Sequence, residues 1–305
     1  MYKYLIVGAG TIGTLVAREL AEQGHKVEIV SRHGSGPKLE NVKTVALDAG
    51  KAQSISELAI GARAIFNCAN PPYHRWLTDW PPIADALLNA AKSSGAVLVT
   101  LGNLYAYGKV TEPITTEHHL NAAYAKAQVR AKMWHDALYA HNRGQVRATE
   151  VRASDFIGPD AKSVWSKNII QRMLRGKRCW TLGSPDLPHS WTYVDDVATA
   201  LVAAAQSESA FGYAWHVPTN PPRTQRQVFE DLAERAGVSR PNVSSLPTSL
   251  LYAAGVFSPT LREVRKTLYQ FTSPFVIDDS AMRKSFGLEP TPWSTILETT
   301  IDACR

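Results

Sequence analysis

The chain has 305 residues, of which 45% are hydrophobic and 20% are charged, a balance that is typical of globular proteins and excludes a disordered chain. Its net charge is +6, and its three cysteines lie far apart without metal-ligand spacing, which excludes a disulfide scaffold and predicts no bound metal. That cysteine pattern favours a reducing cytoplasm. No apolar run approaches the roughly 20 residues of a membrane span, so no membrane partner is expected.

Apolar runs alternate with amphipathic patterns through the first half of the chain, as a parallel sheet with crossover helices requires. The predicted strands are residues 3–7, 27–30, 42–47, 64–68, 97–100 and 148–152. The predicted helices are residues 11–23, 54–59, 82–94 and 120–142. This order predicts an α/β protein with a doubly wound parallel sheet, that is, a Rossmann fold.

The first strand leads directly into a Gly-x-Gly-x-x-Gly turn that opens a helix. Gly8 permits the tight turn, Gly10 lets the backbone approach a pyrophosphate, and Gly13 lets the helix pack closely against the strand. Thr11 and Ile12 begin the helix together with Gly13, so their N–H groups and the positive end of the helix dipole face an anionic ligand. The pattern predicts a dinucleotide site, and the alternative is an ordinary β–α turn.

The end of the second strand favours NADP over NAD. Sites for NAD usually carry a carboxylate about 20 residues beyond the glycines, where this chain has Ser31, Arg32 and His33. Arg32 is able to make paired, charge-assisted bonds to a 2′-phosphate and to stack on the adenine. NADP is therefore the predicted cofactor, with NAD as the less favoured one, and an exposed loop arginine is the alternative interpretation.

Two further strand ends supply candidate cofactor contacts. Asp48 follows the third strand and is either a hydrogen-bond acceptor for the adenine amino group or an ordinary turn aspartate. Cys68, Ala69 and Asn70 follow the fourth strand, and the carboxyl ends of strands border the ligand crevice in such sheets. We expect these three residues to line the cofactor, with Cys68 as a buried and inert thiol.

The pattern changes after Pro159 to isolated helices separated by Pro-rich loops. We predict a dinucleotide-binding Rossmann domain over residues 1–158, with residues 191–217 returning to it at the sheet edge. A smaller C-terminal lobe for substrate would be made mainly of residues 159–190 and 218–305.

Several polar and aromatic residues of the second half are candidates for structural or functional roles. Asp155 is predicted to cap a turn, with a catalytic role as the alternative, and Asp195 and Asp196 are predicted to cap the helix that follows them. One interpretation is that an aromatic substrate pocket is formed by His189, Trp191 and Trp165. The basic stretch 172–178 lacks interleaved aromatic residues, so we do not expect a nucleic acid partner, whereas a homodimer is compatible with the sequence.

Four motifs occur in one order along nearly the whole chain. They are the glycine turn, Val99-Thr100 with Tyr107-Gly108, Val151-Arg152 with Ile157-Gly158-Pro159, and Tyr193-Val194-Asp195-Asp196-Val197-Ala198. Together they resemble the extended short-chain dehydrogenase/reductase superfamily, particularly NAD-dependent epimerase/dehydratase-like and nucleoside-diphosphate-sugar epimerase-like proteins. The resemblance implies a Rossmann domain followed by a smaller substrate lobe.

The chain departs from that family at the catalytic positions. Active members have a Ser or Thr four residues before the Tyr of Tyr-Gly, and this chain has Asn103 there. They also carry a Tyr-x-x-x-Lys pair on the next long helix, but Ala122 lies four residues before Lys126, and Gln128 lies four residues after Tyr124. On one helix, Tyr124 and Lys126 would be rotated by roughly 200° from each other. The chain is therefore identified as an atypical member.

Candidates for the missing catalytic groups remain in the same segments. Lys126 is interpreted either as the residue that holds the nicotinamide ribose or as a solvated helix lysine. Tyr105, ahead of Tyr107 and Tyr124, is the candidate for a replacement acid, and the alternative for each of these tyrosines is a packing role. We expect an NADP-binding oxidoreductase or epimerase-like enzyme that acts on a small carbonyl or sugar-nucleotide substrate. The alternative is a non-catalytic NADP-binding sensor or regulatory protein.

Overall fold

The computed structural model describes residues 1–121, 123–161, 163–247, 249 and 265–305. The chain divides into two compact units, each assembled from three stretches of sequence. The first unit contains Met1–Ala106, Leu120–Ala153 and Val197–His216, and the second contains Tyr107–His119, Ser154–Asp196 and Val217–Arg305.

The strands and α-helices of the described residues have the following bounds, in chain order. The strands are β1 (Lys3–Val7), β2 (Lys26–Ser31), β3 (Val42–Ala46), β4 (Ala62–Asn67), β5 (Val97–Asn103), β6 (Arg147–Ala153), β7 (Asp155–Ile157), β8 (Cys179–Thr181), β9 (Trp191–Tyr193), β10 (Ala214–His216) and β11 (Val243–Ser245). The α-helices are α1 (Thr11–Glu22), α2 (Ala52–Ala59), α3 (Trp76–Ser94), α4 (Ala125–Asn142), α5 (Lys167–Leu174), α6 (Val194–Gln206), α7 (Gln225–Ala236), α8 (Ser280–Phe286) and α9 (Trp293–Asp302). None of these described helices is long and apolar enough to cross a membrane.

A seven-stranded parallel sheet organises the first unit. Its strand order is β10-β6-β5-β4-β1-β2-β3, which confirms the predicted doubly wound Rossmann fold. Strand β1 is apolar after its first residue because helices cover both faces of such a sheet. Leu5, Val7 and Val30 pack with Ile55 of α2 and Leu87 of α3 in one buried cluster. Burying each such side chain contributes about 1.5–3 kcal/mol.

Helix α3 begins at Trp76, although the sequence predicted a start at Pro82. Pro81 and Pro82 lie inside the helix, where each removes a backbone hydrogen bond. Trp76 and Trp80 lie one turn apart, are both buried, and have ring centroids 6.2 Å apart. Burial of an indole contributes about 4–6 kcal/mol, which offsets the cost of about 3 kcal/mol for an interior proline.

Helix α4 begins at Ala125, five residues after the predicted start at Leu120. Tyr124 precedes the helix with an extended backbone, φ −105° and ψ 143°. Asn121 and Ala123 are exposed, so no burial offsets the entropy cost of ordering them into a helix. Ala122 lies outside the described residues.

Two small parallel sheets, β7 with β9 and β8 with β11, were missed in the sequence. The predicted return of Trp191–Tyr193 to the edge of the main sheet is wrong, because this strand pairs with β7. Strand β10 instead occupies that edge, where Trp215 pairs with Val151 of β6. Strands of three residues are too short to show a two-residue periodicity.

Candidate functional site

The turn between β1 and α1 leaves no room for a side chain at its first and third glycines. Gly8 has a φ of +110°, and a Cβ there would lie 2.4 Å from the carbonyl oxygen of Cys68. A Cβ on Gly13 would lie 1.9 Å from the carbonyl oxygen of Gly8. Both contacts are with backbone atoms, so neither position accommodates another residue without moving the chain.

Gly10 differs from the other two glycines because it borders open space. A Cβ built on it meets no atom within 4 Å, and the residue is exposed. Gly10 is also the N-cap of α1, which begins at Thr11 with no acidic residue in its first turn. Ile12 is buried beneath this turn. The backbone N–H groups and dipole at such a terminus favour an anion at the open side of Gly10.

The end of β2 presents two exposed basic or titratable side chains in a turn. The N–H of Gly34 donates to the carbonyl oxygen of Ser31 at 3.2 Å, and the Ser31 hydroxyl donates to the backbone carbonyl oxygen of Ser35 at 2.9 Å. Arg32 and His33 are exposed on this turn. Arg32 makes no salt bridge with the described residues, so its guanidinium is available to an anionic ligand.

Asp48 lies two residues beyond the end of β3 and is exposed. Its Oδ1 accepts a hydrogen bond from the N–H of Gly50 at 3.0 Å. This geometry is an Asx turn, which is what the interpretation of Asp48 as an ordinary turn aspartate expected. The second carboxylate oxygen is not used by that bond, and a contact with adenine stays a prediction.

The end of β4 packs against the glycine turn. Cys68 donates its N–H to the carbonyl oxygen of Val7 at 2.9 Å, and Ala69 and Asn70 follow it toward the surface. Burial raises the pKa of the Cys68 thiol to about 12. The side chain is therefore a neutral thiol at physiological pH and not a nucleophile.

Asn67, the last residue of β4, was missed as a candidate. Its side chain is 2% exposed, and its Oδ1 is buried with no hydrogen-bond partner among the described residues. It lies directly beside Val7, where the glycine turn begins. A buried amide oxygen costs free energy unless it accepts a hydrogen bond. The signal in the sequence was a single polar residue at the end of a buried apolar strand.

An aromatic cluster, defined as Tyr73, Trp76, Trp80 and Tyr105, lies beyond the carboxyl ends of β4 and β5. The ring centroid of Tyr73 lies 4.9 Å from that of Trp76 and 6.3 Å from that of Tyr105. The rings of Trp76 and Tyr105 lie 5.9 Å apart. These edge-to-face and tilted contacts each contribute about 0.5–1.5 kcal/mol and hold the phenol rings in place.

Two cations of α4 lie over this cluster. Lys126 is only 4% exposed, and its Nζ lies 4.1 Å from the ring centroid of Tyr73. The guanidinium of Arg130 lies 4.7 Å from the ring centroid of Trp80. A desolvated cation–π contact contributes about 2 kcal/mol. The structure thus brings Lys126 close to a tyrosine from another element, which sequence spacing did not indicate.

Asn103 and Tyr124 take local roles in the backbone. The Oδ1 of Asn103 accepts a hydrogen bond from the N–H of Tyr105 at 3.1 Å, which starts the 3₁₀ helix Tyr105–Tyr107. Tyr124 is the extended N-cap of α4, so the predicted rotation of 200° between it and Lys126 does not apply. A catalytic role for either residue stays a prediction.

Asp155 of the second unit is held by a histidine instead of capping a turn. Its Oδ2 lies 2.9 Å from Nε2 of His189, which stacks on Trp191 with centroids 4.1 Å apart. Trp165 packs on Trp191 at 5.0 Å. His189, Trp191 and Trp165 are each at most 3% exposed, so they form part of the buried interior of this unit.

Asp196 also has a partner that is distant in sequence. Its Oδ2 accepts from the N–H of Thr291 at 3.0 Å and its Oδ1 from the Thr291 hydroxyl at 2.5 Å. Burial raises the pKa of the Asp196 carboxyl, although these two bonds oppose the shift. Asp196 therefore bonds to Thr291, a residue distant in the sequence, instead of taking the predicted capping role.

Among the described residues, no three His, Cys, Asp or Glu side chains are grouped as metal ligands would be.

A family model described as the NAD dependent epimerase/dehydratase family matches residues 4–214 of the chain. No curated protein matches it. The fold is similar to that of UDP-glucose 4-epimerase from Thermotoga maritima in complex with UDP-glucose, with a TM-score of 0.79 at 17% identity over 99% of this chain and 98% of that one.

Two further solved structures share the fold. UDP-glucuronic acid 4-epimerase from Bacillus cereus, in complex with UDP-glucuronic acid and NAD, gives a TM-score of 0.80 at 17% identity over 99% of this chain and 98% of that one. The dTDP-glucose 4,6-dehydratase from Bacillus anthracis, in complex with NAD, gives 0.79 at 17% identity over 99% and 96%. At such identities the likeness concerns the fold.

Proposed function

Because this chain belongs to the NAD dependent epimerase/dehydratase family, we propose that it is an NADP-dependent oxidoreductase or epimerase-like enzyme for a small carbonyl or sugar-nucleotide substrate. The observation that carries the proposal is the steric pattern of the glycine turn. Side chains are excluded at Gly8 and Gly13 by backbone contacts, whereas Gly10 borders open space at the N-terminus of α1. This is the arrangement that a dinucleotide pyrophosphate requires.

The residues around the turn fit a dinucleotide. Thr11, Ile12 and Gly13 would offer backbone N–H groups to the pyrophosphate, and the buried Oδ1 of Asn67 would accept a hydrogen bond from a ribose or amide donor. Ala69 and Asn70 would line the same edge. The chemistry that a bound nicotinamide supplies is hydride transfer.

The end of β2 supports NADP. Ser31, Arg32 and His33 stand where a carboxylate would bind the ribose hydroxyls of NAD. Glu28, an acidic residue earlier in this strand, forms a salt bridge with Lys3, whose Nζ lies 3.0 Å from Oε2 of Glu28. The family description and the NAD in the similar structures favour NAD instead, so the choice depends on whether Arg32 contacts a 2′-phosphate.

Titration of NADPH and NADH into wild-type protein and two variants tests this choice. Arg32→Ala should weaken NADPH binding at least tenfold and leave NADH within about twofold, since a charge-assisted contact contributes about 1.5–3 kcal/mol. Lys38→Ala is the matched control, because Lys38 is an exposed cation six residues further along the same loop. Equal losses for both cofactors in Arg32→Ala, or tighter binding of NADH by the wild type, would contradict the NADP assignment.

The substrate part of the proposal rests on the family and on the second unit. The similar epimerases were solved with UDP-glucose and with UDP-glucuronic acid, so a sugar nucleotide is one candidate class beside a small carbonyl compound. We assign substrate binding mainly to residues 159–190 and 218–305, as the sequence predicted.

For proton transfer we propose Tyr105, with Lys126 as the residue that binds the nicotinamide ribose. Tyr105 is half-buried beside Tyr73, whose ring lies under the Lys126 ammonium. Asn103 fixes the backbone of Tyr105. Tyr124, which immediately precedes α4, is the second candidate for the acid.

Two readouts measure this step: net oxidation of NADPH, followed by cofactor absorbance, with a panel of carbonyl compounds, and conversion of sugar nucleotides into their epimers, followed by chromatography, since epimerisation consumes no cofactor overall. Tyr105→Phe should lower turnover about 10²-fold or more, the scale of general acid catalysis. Tyr139→Phe is the control, because Tyr139 is a 65% exposed tyrosine on α4. Full activity of Tyr105→Phe would show that a group other than Tyr105 donates the proton.

The alternative function is a non-catalytic NADP-binding sensor. It is motivated by Asn103 and Gln128, which occupy sequence positions where the family pattern has catalytic groups. Tight NADPH binding without turnover on any member of the panel would support it.

A further inference from the structure

The excess positive charge of the chain comes from one short stretch of the second unit. Residues 161–185 contain six of the 33 lysines and arginines of the chain and none of its 27 aspartates and glutamates. Without these six, 27 cations remain against 27 acidic side chains. The formal net charge of +6 is therefore that of this stretch, and a concentrated charge attracts ligands of the opposite sign.

The end of α5 places cations of this stretch at the surface. The helix buries Ile170 and Met173, and the turn that closes it contains Gly176 with a φ of +66°. In this turn the N–H of Lys177 donates to the carbonyl oxygen of Arg172 at 3.0 Å, a backbone arrangement common at helix ends. Four exposed cations surround the turn, and we call them the basic turn: Arg172, Arg175, Lys177 and Arg178.

The cations of the basic turn are not neutralised by the part of the chain that the structure describes. None of the four forms a salt bridge there. Asp186, the first acidic residue after them, pairs instead with Arg226 at 2.6 Å. The negative end of the α5 dipole favours a cation such as Arg172, but this effect is confined to the last turn of a helix. Lys177 and Arg178 lie beyond that turn, so the dipole does not account for them.

Trp180 presents an exposed indole next to the basic turn. All eight tryptophans of the chain belong to the described residues, and Trp180 is the exposed one, at 41%. Six others are buried, and Trp293 is half-buried. In β8 the side chains of Cys179 and Thr181 are buried, so Trp180, which lies between them, faces outward. An indole in this position offers a flat apolar face to a ligand.

Trp180 and the basic turn form one continuous surface. The guanidinium of Arg178 lies 5.5 Å from the ring centroid of Trp180, and Nη2 of Arg172 donates to the carbonyl oxygen of Arg178 at 3.3 Å. The sequence predicted no nucleic acid partner, because no aromatic residue lies within 172–178. The structure removes that reason, since it brings an exposed indole from β8 to the same surface.

We propose that the basic turn and Trp180 bind a single-stranded nucleic acid. The guanidinium and ammonium groups contact phosphates, and a base stacks on the indole of Trp180. Proteins that bind single strands without reading their sequence combine a positive surface with aromatic side chains in this way. This binding is separate from the proposed enzymatic function and does not depend on it.

Other anionic partners fit the surface less well. Membrane binding increases with the apolar area that is inserted, and Trp180 is the one exposed large hydrophobic side chain among the described residues of 161–185. An acidic peptide would pair with the cations but would not require a flat indole face. A single strand uses both the charges and the ring.

Fluorescence anisotropy with a labelled oligouridylate of about ten nucleotides tests the proposal. Labelled heparin is the comparison, because it is a polyanion without bases. Affinities are measured at several salt concentrations. Wild-type protein should bind both ligands, and log Kd for the oligouridylate should rise with log salt concentration with a slope of about 2–3, as three or four phosphate contacts on a single strand require.

Variants of Trp180 separate base stacking from charge attraction. Trp180→Ala should weaken oligouridylate binding at least fivefold, because the stacking of one base is lost, and should leave heparin affinity within about twofold. Trp180→Phe, which keeps a flat ring, should retain most of the oligouridylate affinity. The side chain is exposed, so the thermal midpoint should stay near that of the wild type and shows that each variant is folded.

Variants of the cations connect the salt dependence to the basic turn. Arg175→Gln combined with Lys177→Gln should weaken the binding of both ligands and lower the salt slope by about 1, since two phosphate contacts are lost. Lys38→Gln combined with Lys51→Gln is the matched control, because it removes two exposed cations of the first unit. The control should change neither affinity by more than about twofold.

Three results would overturn the proposal. The first is the absence of oligouridylate binding to wild-type protein at low salt. The second is an unchanged oligouridylate affinity in Trp180→Ala, or a loss that is equally large for heparin. The third is tighter binding of phosphatidylserine vesicles or of a polyglutamate peptide than of oligouridylate, which would assign the surface to a different partner.

Discussion

The glycine turn and the segment that enters α4 both lie in the first unit, but the fold specifies them to different degrees. In the turn, backbone atoms at 2.4 and 1.9 Å from the built Cβ positions exclude any side chain at Gly8 and Gly13. Before α4, Tyr124 is extended and Lys126 contacts Tyr73, a residue of another element. The proposed dinucleotide binding is therefore tied to backbone geometry, whereas the proposed proton transfer would depend on side chains that other residues are able to replace.

The largest expected effect comes from Gly13→Ala. Its Cβ would overlap the carbonyl oxygen of Gly8, so α1 must move away from β1. We expect a loss of about 3 kcal/mol or more in the free energy of unfolding, at the upper end for overpacked positions. Urea denaturation measures the loss, and a variant as stable as wild type would show that the turn relaxes easily.

Gly10→Ala should affect binding without affecting stability. Its φ of −83° suits alanine, and the built Cβ meets no atom within 4 Å. The methyl group would enter the space assigned to the pyrophosphate, so we expect NADPH affinity to fall at least tenfold while the thermal midpoint stays within about 2 °C. Gly13→Ala serves as the comparison, because that variant should lose stability. Unchanged NADPH affinity in Gly10→Ala would mean that the pyrophosphate binds elsewhere.

Gln128→Lys should have the smallest effect. It creates a Tyr-x-x-x-Lys spacing from Tyr124, as in active members of the family, but position 128 is exposed and Tyr124 precedes the helix. We expect turnover of NADPH to change by less than twofold. A clear gain in activity would mean that Tyr124 and α4 rearrange in the working enzyme.

The same contrast explains which features were predictable from sequence. The glycine turn and the sheet order follow from local constraints, since the backbone positions of Gly8 and Gly13 and the alternation of strands and helices are visible in short segments. The pairings of Asp155 with His189 and of Asp196 with Thr291 join residues 34 and 95 positions apart. Such contacts leave no local pattern, and capping was the nearest local explanation.

The start of α4 and the edge strand were missed for a related reason. Ala125 begins the helix because burial starts at Lys126 and Ala127, which depends on what packs against them. Strand β10 has three residues, and its pairing with β6 determines its place. The contact of Lys126 with Tyr73 likewise joins two elements that lie far apart in the chain.

The interleaving of the two units affects how the protein folds during synthesis. The main sheet lacks its edge strand until β10 emerges, about 60 residues after the end of β6. At typical translation rates this interval lasts roughly 3–12 s. During that time β6 presents an unpaired edge to the surroundings of the ribosome, which makes the nascent chain a candidate client for chaperones that bind exposed strands.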